Sequence, residues 1–204
     1  MTRQAVGILL GAACAPAAVS AAWAQQNIRV RGTIERVDGP TFVVRAGEAG
    51  EMKVNLADKV GIFGVVKATL ADIKPGAFIG VGATPQPDGS QRAIQVTIFA
   101  DSQRGTGEGH RPWDRPNTTM TNATVETTAG AVEGRTLTVK YKAGERTGEQ
   151  KIVVPPDATI RAYVVSDRSE LKPGANIVIM NATKKPDGTI EATRINVGRD
   201  GMAP

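Results

Sequence analysis

Residues 73–89 read IKPGAFIGVGATPQPDG, and residues 171–188 read LKPGANIVIMNATKKPDG. Each stretch runs from a Lys-Pro-Gly turn through an apolar segment to a Pro-Asp-Gly turn. Proline ends a helical turn, and glycine accepts the positive φ that a tight turn requires. The two turns recur in the same order at offsets of 98 and 99 residues. This recurrence predicts a duplicated structural unit.

The flanking segments extend the match. Residues 132–134 (VEG) correspond to residues 37–39 (VDG) at an offset of 95. Near the end of each copy, Thr193, Ile195 and Val197 correspond to Ile94, Val96 and Ile98, which we expect to face inward. The offset grows by four residues, and the additions fall in the loop around residues 144–148. Loops absorb insertions at little energetic cost, so the growing offset is compatible with duplication.

Each copy has the pattern of an all-β unit. Apolar and polar residues alternate between Ile28 and Glu35, as they do in a strand with one buried face. Leu70 and Ile73 are spaced for a single helical turn, which Pro75 ends. The resulting order is three strands, a helical turn and two strands. A five-stranded OB-type barrel has this order.

The sequence therefore predicts an all-β fold of two tandem small OB-like five-stranded barrels. We expect a signal peptide over residues 1–24 and the first barrel over residues 25–103. An irregular interdomain linker over residues 104–121 would join it to a second barrel over residues 122–200.

The repeated pattern V-D/E-G, L/I-K-P-G, P-D-G and A-x-x-I resembles an OB-like domain family of unknown function. Members of that family occur in exported bacterial proteins, often in tandem. The resemblance covers nearly all of the chain after residue 24 and rests on turn residues. It implies a small β-barrel and an exported location, and it carries over no catalytic residue.

The N-terminus indicates export. Arg3 precedes an apolar run over residues 6–18, and Ala22-Trp23-Ala24 forms a small-x-small cleavage site. We therefore expect cleavage after Ala24 and a periplasmic or secreted location, with no transmembrane anchor once the signal is removed. Lipid attachment at Cys14, the only cysteine, is the alternative. The chain beyond residue 24 then has neither a disulfide nor a thiolate ligand.

The charge balance is mildly basic. The chain has 25 Lys and Arg against 20 Asp and Glu, which gives a net charge of +5. The excess is spread along the chain without a block of like charges, so we expect it on solvated faces. Without a dense basic patch, nucleic acid is not predicted as a partner.

The segment 105–124, GTGEGHRPWDRPNTTMTNAT, belongs to neither copy. A structureless segment of this length is either disordered or functional. We expect Trp113 to dock between the barrels as the buried anchor of an interdomain clasp, together with His110, Pro112 and Asp114.

A metal site is the competing interpretation of the same segment. Glu108, His110 and Asp114 lie within seven residues, and an imidazole with two carboxylates can ligate a divalent ion. The signal is weak, because no second His or Cys accompanies them. The chain also lacks a G-x-S-x-G nucleophile elbow. No catalytic residue and no cofactor are predicted.

Aromatic side chains on the second and third strands of an OB barrel often serve as stacking platforms. Here Phe42 and Tyr141 are in phase with aliphatic neighbours, which favours a core position for both. The same core assignment is predicted for the remaining aromatic residues, Phe63, Phe78, Phe99 and Tyr163.

These observations favour a non-catalytic, exported binding or interaction module of the bacterial cell envelope, whose ligand or protein partner is unknown. Two alternatives stay open at this point. One is a metal-dependent or hydrolytic enzyme that uses the His110 region, and the other is a structural spacer.

Overall fold

A computed structural model describes residues 27–129 and 135–204, and within these ranges the chain is built from strands. The strands are β1 (Asn27–Asp38), β2 (Thr41–Arg45), β3 (Glu51–Lys67), β4 (Phe78–Pro85), β5 (Gln91–Ile98), β6 (Gly109–Pro112), β7 (Thr119–Ala129), β8 (Arg135–Ala143), β9 (Arg146–Val154), β10 (Thr159–Ser166), β11 (Asn176–Lys184) and β12 (Ile190–Gly198). Single 3-10 turns cover Gly47–Ala49, Leu70–Asp72, Asp101–Gln103 and Arg168–Glu170.

Three sequence-based predictions fall outside the described residues. They are the signal peptide with its cleavage site at Ala24, the alternative lipid attachment at Cys14, and the VEG turn at residues 132–134. Across the part of the chain that the structure describes, no helix has the length and apolar character needed to cross a membrane.

Five strands close a barrel. Strand β1 pairs with β2, β2 with β3, β3 with β12, β12 with β11, and β11 with β1. Its interior is a single cluster of buried aliphatic side chains and Phe42. Phe42 is 5% exposed there, which confirms its predicted place in the core.

A second ring joins β4, β7, β8, β9 and β5. Its last junction is short, because β5 and β9 pair in parallel only at Gln91 with Ile152 and at Arg92 with Val153. Its interior is a separate aliphatic cluster, against which Tyr141 packs while remaining partly exposed.

Each ring takes strands from both halves of the chain. The first ring combines β1, β2 and β3 with β11 and β12, and the second combines β4 and β5 with β7, β8 and β9. The structure differs here from the expectation that residues 25–103 and 122–200 each close a barrel of their own. The physical reason is the 17-residue strand β3, which runs out of the first ring and delivers β4 to the second.

Strand β10 joins the two rings into one continuous sheet. It is antiparallel to residues 62–67 of β3 and parallel to residues 95–98 of β5. Phe63, Val65 and Tyr163 are buried around this junction, and Phe99 packs against them. Three aromatic residues that were predicted for the barrel cores therefore lie between the rings instead. They are Phe63, Phe99 and Tyr163.

The two Lys-Pro-Gly turns make equivalent contacts in the two rings. The backbone N–H of Gly76 donates to Val125 O at 2.7 Å, and that of Gly174 donates to Ile34 O at 2.8 Å. The apolar residues that begin these turns, Ile73 and Leu171, are buried in the second and first cores. Each turn therefore bonds to a strand from the other half of the chain and covers the core of that strand's ring.

The segment between the copies is more regular than expected. Within it, β6 pairs antiparallel with the start of β7, from Gly109 opposite Asn122 to Pro112 opposite Thr119. The backbone N–H of Trp113 donates to Thr118 O at 3.0 Å across the connecting loop. The prediction of an irregular linker was wrong, because a four-residue strand that ends in proline is too short to show an alternating pattern.

A β-bulge shifts the phase of β5 in the first half of the chain and of β12 in the second. In β5, Gly82 is opposite Gln95 while Ala83 is opposite Ala93, which leaves Ile94 as the additional residue. The inward residues are consequently Ala93, Val96 and Ile98, and the inward placement expected for Ile94 was wrong. Strand β12 has its additional residue at Thr193, the position that corresponds to Ile94.

Candidate functional site

A cleft of about 520 Å³ lies where the outer faces of the two rings meet. Strands of both rings, β10 and the loop after β6 contribute to its walls. Its charged lining is almost entirely cationic. The arginines are Arg29, Arg31, Arg111, Arg115, Arg161 and Arg194. Among the described residues that line the cleft, Asp114 has the one acidic side chain, and there is no lysine.

Arg29 and Arg31 reach the cleft from β1. They flank Val30, which is buried in the first core, so strand alternation directs both arginines outward. Arg29 Nη1 lies 3.5 Å from Asp114 Oδ2, and both side chains are substantially exposed. Within the described residues, Arg31 forms neither a hydrogen bond nor an ion pair through its side chain, and it is exposed.

Arg161 approaches from β10 and is held by its neighbours. Its Nε donates to Thr97 Oγ1 at 3.1 Å, and its Nη1 donates to Ala203 O at 2.9 Å. The guanidinium carbon lies 5.9 Å from the ring centroid of Tyr163. Burial lowers the pKa of Arg161, and the nearby positive charges of Arg31 and Arg29 act in the same direction. Arg29, Arg31 and Arg161 thus line the same cleft.

Arg194 on β12 is enclosed by aromatic rings. Its guanidinium carbon lies 5.6 Å from the centroid of Phe63, 6.0 Å from Phe99 and 5.9 Å from Tyr163. With the Gln103 amide oxygen turned towards it, that oxygen accepts from Arg194 Nη2 at 2.8 Å and from Nε at 3.2 Å. Burial lowers the pKa of Arg194. An arginine remains cationic nonetheless, because its pKa is far above neutrality.

The loop after β6 supplies the outer wall. Arg115 stacks on the indole of Trp113, with its guanidinium carbon 5.5 Å from the ring centroid. Trp113 is half-buried and lies against Gly82 of β4. Arg111 Nη1 donates to Gly107 O at 2.8 Å. The aromatic ring and the carbonyl group thus restrict two exposed guanidinium groups without neutralising them.

The cleft carries excess positive charge. Among the residues that the structure describes, no carboxylate lies within ion-pairing distance of five of the arginines, and only Arg29 is paired. A concave surface with charges of one sign concentrates the electrostatic field and attracts counter-ions. Guanidinium groups also present planar pairs of N–H donors that match carboxylate and phosphate oxygens. The arrangement is therefore suited to binding an anion.

The residues proposed for a metal or hydrolytic site do not converge. His110 Nδ1 hydrogen-bonds Thr121 Oγ1 at 2.8 Å, and its ring stacks 6.2 Å from that of Tyr141. Burial lowers the pKa of His110, which favours its neutral form. Glu108 Oε1 accepts from the backbone N–H of Lys142 at 3.0 Å, whereas Asp114 faces Arg29.

Within residues 27–129 and 135–204, no group of three His, Cys, Asp or Glu side chains is placed to hold a metal ion. Of the proposed clasp residues, Pro112, Trp113 and Asp114 line the cleft, and His110 does not. The clasp itself stays a prediction, although Trp113 lies on the second ring and Asp114 contacts the first.

Sequence reasoning missed the arginines as a group. Arg29 and Arg194 are 165 positions apart, so no local charge block marks the cleft. One available signal was Arg-Val-Arg at residues 29–31, since arginine repeats there on the outward phase of a strand. A second was Gly-Val-Gly at residues 80–82, because glycine within a strand often marks the close approach of another group.

Comparisons of the chain with protein families, with curated proteins and with solved structures returned no match. The functional argument therefore depends on the geometry of the cleft.

Proposed function

We propose that this protein is a non-catalytic, exported binding module of the bacterial cell envelope, and that it binds an anionic ligand in the arginine-lined cleft. The observation that carries the proposal is the group of six arginines facing one cleft whose described lining contains one acidic side chain. Placing like charges together is unfavourable unless a counter-charge is supplied. A bound anion would supply it.

The lining favours binding over catalysis. Arg161 and Arg194 are fixed by hydrogen bonds and aromatic contacts, which prepares them to contact a ligand without reorganisation. Apart from Tyr163 and the arginines, Asp114 is the one titratable side chain in the described lining, and it forms an ion pair with Arg29. General acid–base catalysis requires titratable groups positioned around a substrate.

The fold part of the proposal is a duplicated OB-like unit whose copies have exchanged strands. Three correspondences support duplication. The two Lys-Pro-Gly turns make equivalent contacts, and bulges occur at the corresponding positions Ile94 and Thr193. In addition, β3 pairs in parallel with β12, just as β9 and β10 pair in parallel with β5. The exported location rests on the signal-peptide pattern of residues 1–24.

Trp113 provides a direct readout for the binding test, because it lines the cleft and is the single tryptophan after residue 24. The probes are dextran sulfate, polyglutamate and polyphosphate, titrated while Trp113 emission is followed. We expect at least one probe to bind with an affinity that falls as salt is added.

The discriminating variants carry equal changes in net charge. The double variant Arg31→Gln/Arg111→Gln removes two cleft guanidinium groups, and Arg146→Gln/Arg168→Gln removes two exposed arginines elsewhere. A charge-assisted hydrogen bond contributes about 1.5–3 kcal/mol, so the cleft variant should bind at least about tenfold more weakly than the control. Equal affinities for the two variants, or no binding of any probe to the native chain, would overturn the proposed function.

A further inference from the structure

We infer that the end of the cleft formed by Arg29, Arg31 and Arg161 is a subsite for a phosphate monoester group carrying two negative charges. This inference rests on the proposed function and deepens it, because it names the chemical class of the ligand. It concerns the part of the cleft that is lined by arginine side chains from β1 and β10.

The first argument is the convergence of the three cations. Arg29 and Arg31 are on the same face of β1, and both line the cleft together with Arg161. Only Arg29 has a carboxylate neighbour, Asp114, at 3.5 Å. Two guanidinium charges of the three are therefore left unpaired by the described residues. A group with a charge of −2 balances them at a single point.

The second argument is the supply of hydrogen-bond donors. Arg161 uses Nε and Nη1 for Thr97 and Ala203, which leaves the N–H groups of Nη2 without an acceptor among the described residues. All of the guanidinium N–H donors of Arg31 are available to a ligand. Thr97 Oγ1 accepts from Arg161 and, at 3.5 Å, from Gln95 Nε2, and neither bond uses the hydroxyl proton. The subsite thus offers donors on several sides.

Phosphate matches this arrangement better than the other common anions. A phosphate monoester presents three terminal oxygens and carries close to two charges at neutral pH. A carboxylate presents two oxygens in one plane and one charge, and a sulfate ester spreads one charge over three oxygens. Arginine rather than lysine is also the residue suited to forked, bidentate contacts with phosphate.

Access to the subsite does not require unfolding. Arg29 and Arg31 are exposed, and the Arg29–Asp114 pair is on the solvent side, where ion pairs contribute only about 0–1 kcal/mol. An entering dianion can therefore replace Asp114 as the partner of Arg29.

Phenyl phosphate and phenyl sulfate form a matched pair of probes, because they share the aromatic body and differ in charge. Their binding to the full chain is measured by calorimetry at pH 7.5 and at pH 5. At pH 7.5 we expect phenyl phosphate to bind about tenfold more tightly. The preference should shrink at pH 5, since the second phosphate pKa is about 6 and the ester then carries one charge. Phenyl sulfate keeps its charge at both values and reports any titration of the protein itself.

Arg31→Gln should remove most of the preference for phosphate, whereas Arg146→Gln, which deletes an exposed arginine outside the cleft, should keep it. Arg31 has no side-chain partner among the described residues, so its replacement should leave the fold unaffected, which circular dichroism checks. Equal binding of the two probes at pH 7.5, or a preference unchanged at pH 5 or in Arg31→Gln, would overturn the inference.

The two proposals can fail separately. If dextran sulfate or polyglutamate binds through the cleft arginines while phenyl phosphate shows no advantage, the anion-binding function stands and the phosphate subsite is wrong. If the polymers fail as well, both are wrong. If phenyl phosphate binds with the expected dependence on pH and on Arg31, both are supported.

Discussion

The indole of Trp113 lies on Gly82 so closely that a Cβ atom at position 82 would be 2.5 Å from Cζ3 of the ring. A side chain at this position therefore has to displace the indole. The contact fixes the loop that carries Asp114 and Arg115 against the second ring.

Replacing Gly82 by alanine should destabilise the protein by forcing Trp113 out of place. Overpacking of this kind costs about 1–3 kcal/mol, measurable as a shift in the urea midpoint. Trp113→Ala should cost about 2 kcal/mol, below the value for a fully buried tryptophan because the ring is half-buried. In the Trp113→Ala background, Gly82→Ala should add little. If the changes in the free energy of unfolding add up in the double variant, the two residues do not interact.

Asp114→Asn should strengthen anion binding, because it removes the one acidic side chain from the described lining of the cleft and frees Arg29. We expect the affinity for the polyanion probe that binds most tightly to rise about three- to tenfold at low salt. The matched control is Asp157→Asn, an equally exposed aspartate paired with Arg92 outside the cleft. A similar gain in the control would attribute the effect to net charge alone.

Thr97→Val should lower both stability and affinity. Thr97 is 4% exposed and accepts from Arg161 Nε, so valine leaves this donor without its acceptor in a partly buried position. An unsatisfied buried donor costs about 1–3 kcal/mol in the free energy of unfolding. Thr97→Ser keeps the hydroxyl and should retain anion affinity. If the Thr97→Val and Thr97→Ser variants bind the anion with equal affinity, Thr97 does not position Arg161.

Stability should fall in acid partly through the Pro-Asp-Gly turns. Hydrogen bonds from Ser90 and Thr189 hold the pKa values of Asp88 and Asp187 below their ordinary 3.8. A carboxyl group with a lowered folded-state pKa stabilises the fold above its unfolded pKa, and this contribution is lost as the pH falls through about 4 and below. Ser90→Ala with Thr189→Ala should lower the melting temperature at pH 7 and reduce the further drop between pH 5 and pH 2.5. An unchanged drop would assign acid sensitivity to other groups.

A chain cut between Gly105 and Thr106 should give two pieces that fold only together. The first piece contains β1 to β5, and each ring it begins needs strands from the second piece. We expect each piece alone to lack a cooperative unfolding transition and an equimolar mixture to regain it by circular dichroism. Cooperative unfolding of the first piece alone would mean that residues 25–103 can close their own barrel.

The all-β class was predictable because alternation and turn residues act locally. The helical turn at Leu70–Asp72 followed from Leu70, Ile73 and Pro75 in the same way. The mixing of strands from both halves in each ring was not predictable, because β4 completes either its own half or the other with the same apolar pattern. The length of β3 decides between the two.

The cleft was only partly predictable. The segment containing Trp113 and Asp114 was recognised as exceptional, and both residues line the cleft. Its cations come from four strands and one loop, and their convergence depends on how the two rings meet. Charge spread evenly along a sequence can thus be concentrated in space.

The cleft between the rings also differs from the binding sites of proteins whose two domains close around a ligand by a hinge motion. Strand β10 hydrogen-bonds to β3 on one side and to β5 on the other, and strands of both halves are shared between the walls. Opening such a cleft would break a β-sheet, so no hinge is available. We therefore expect the site to be preorganised: it selects by fixed shape and charge, and ligand entry requires little ordering of the protein.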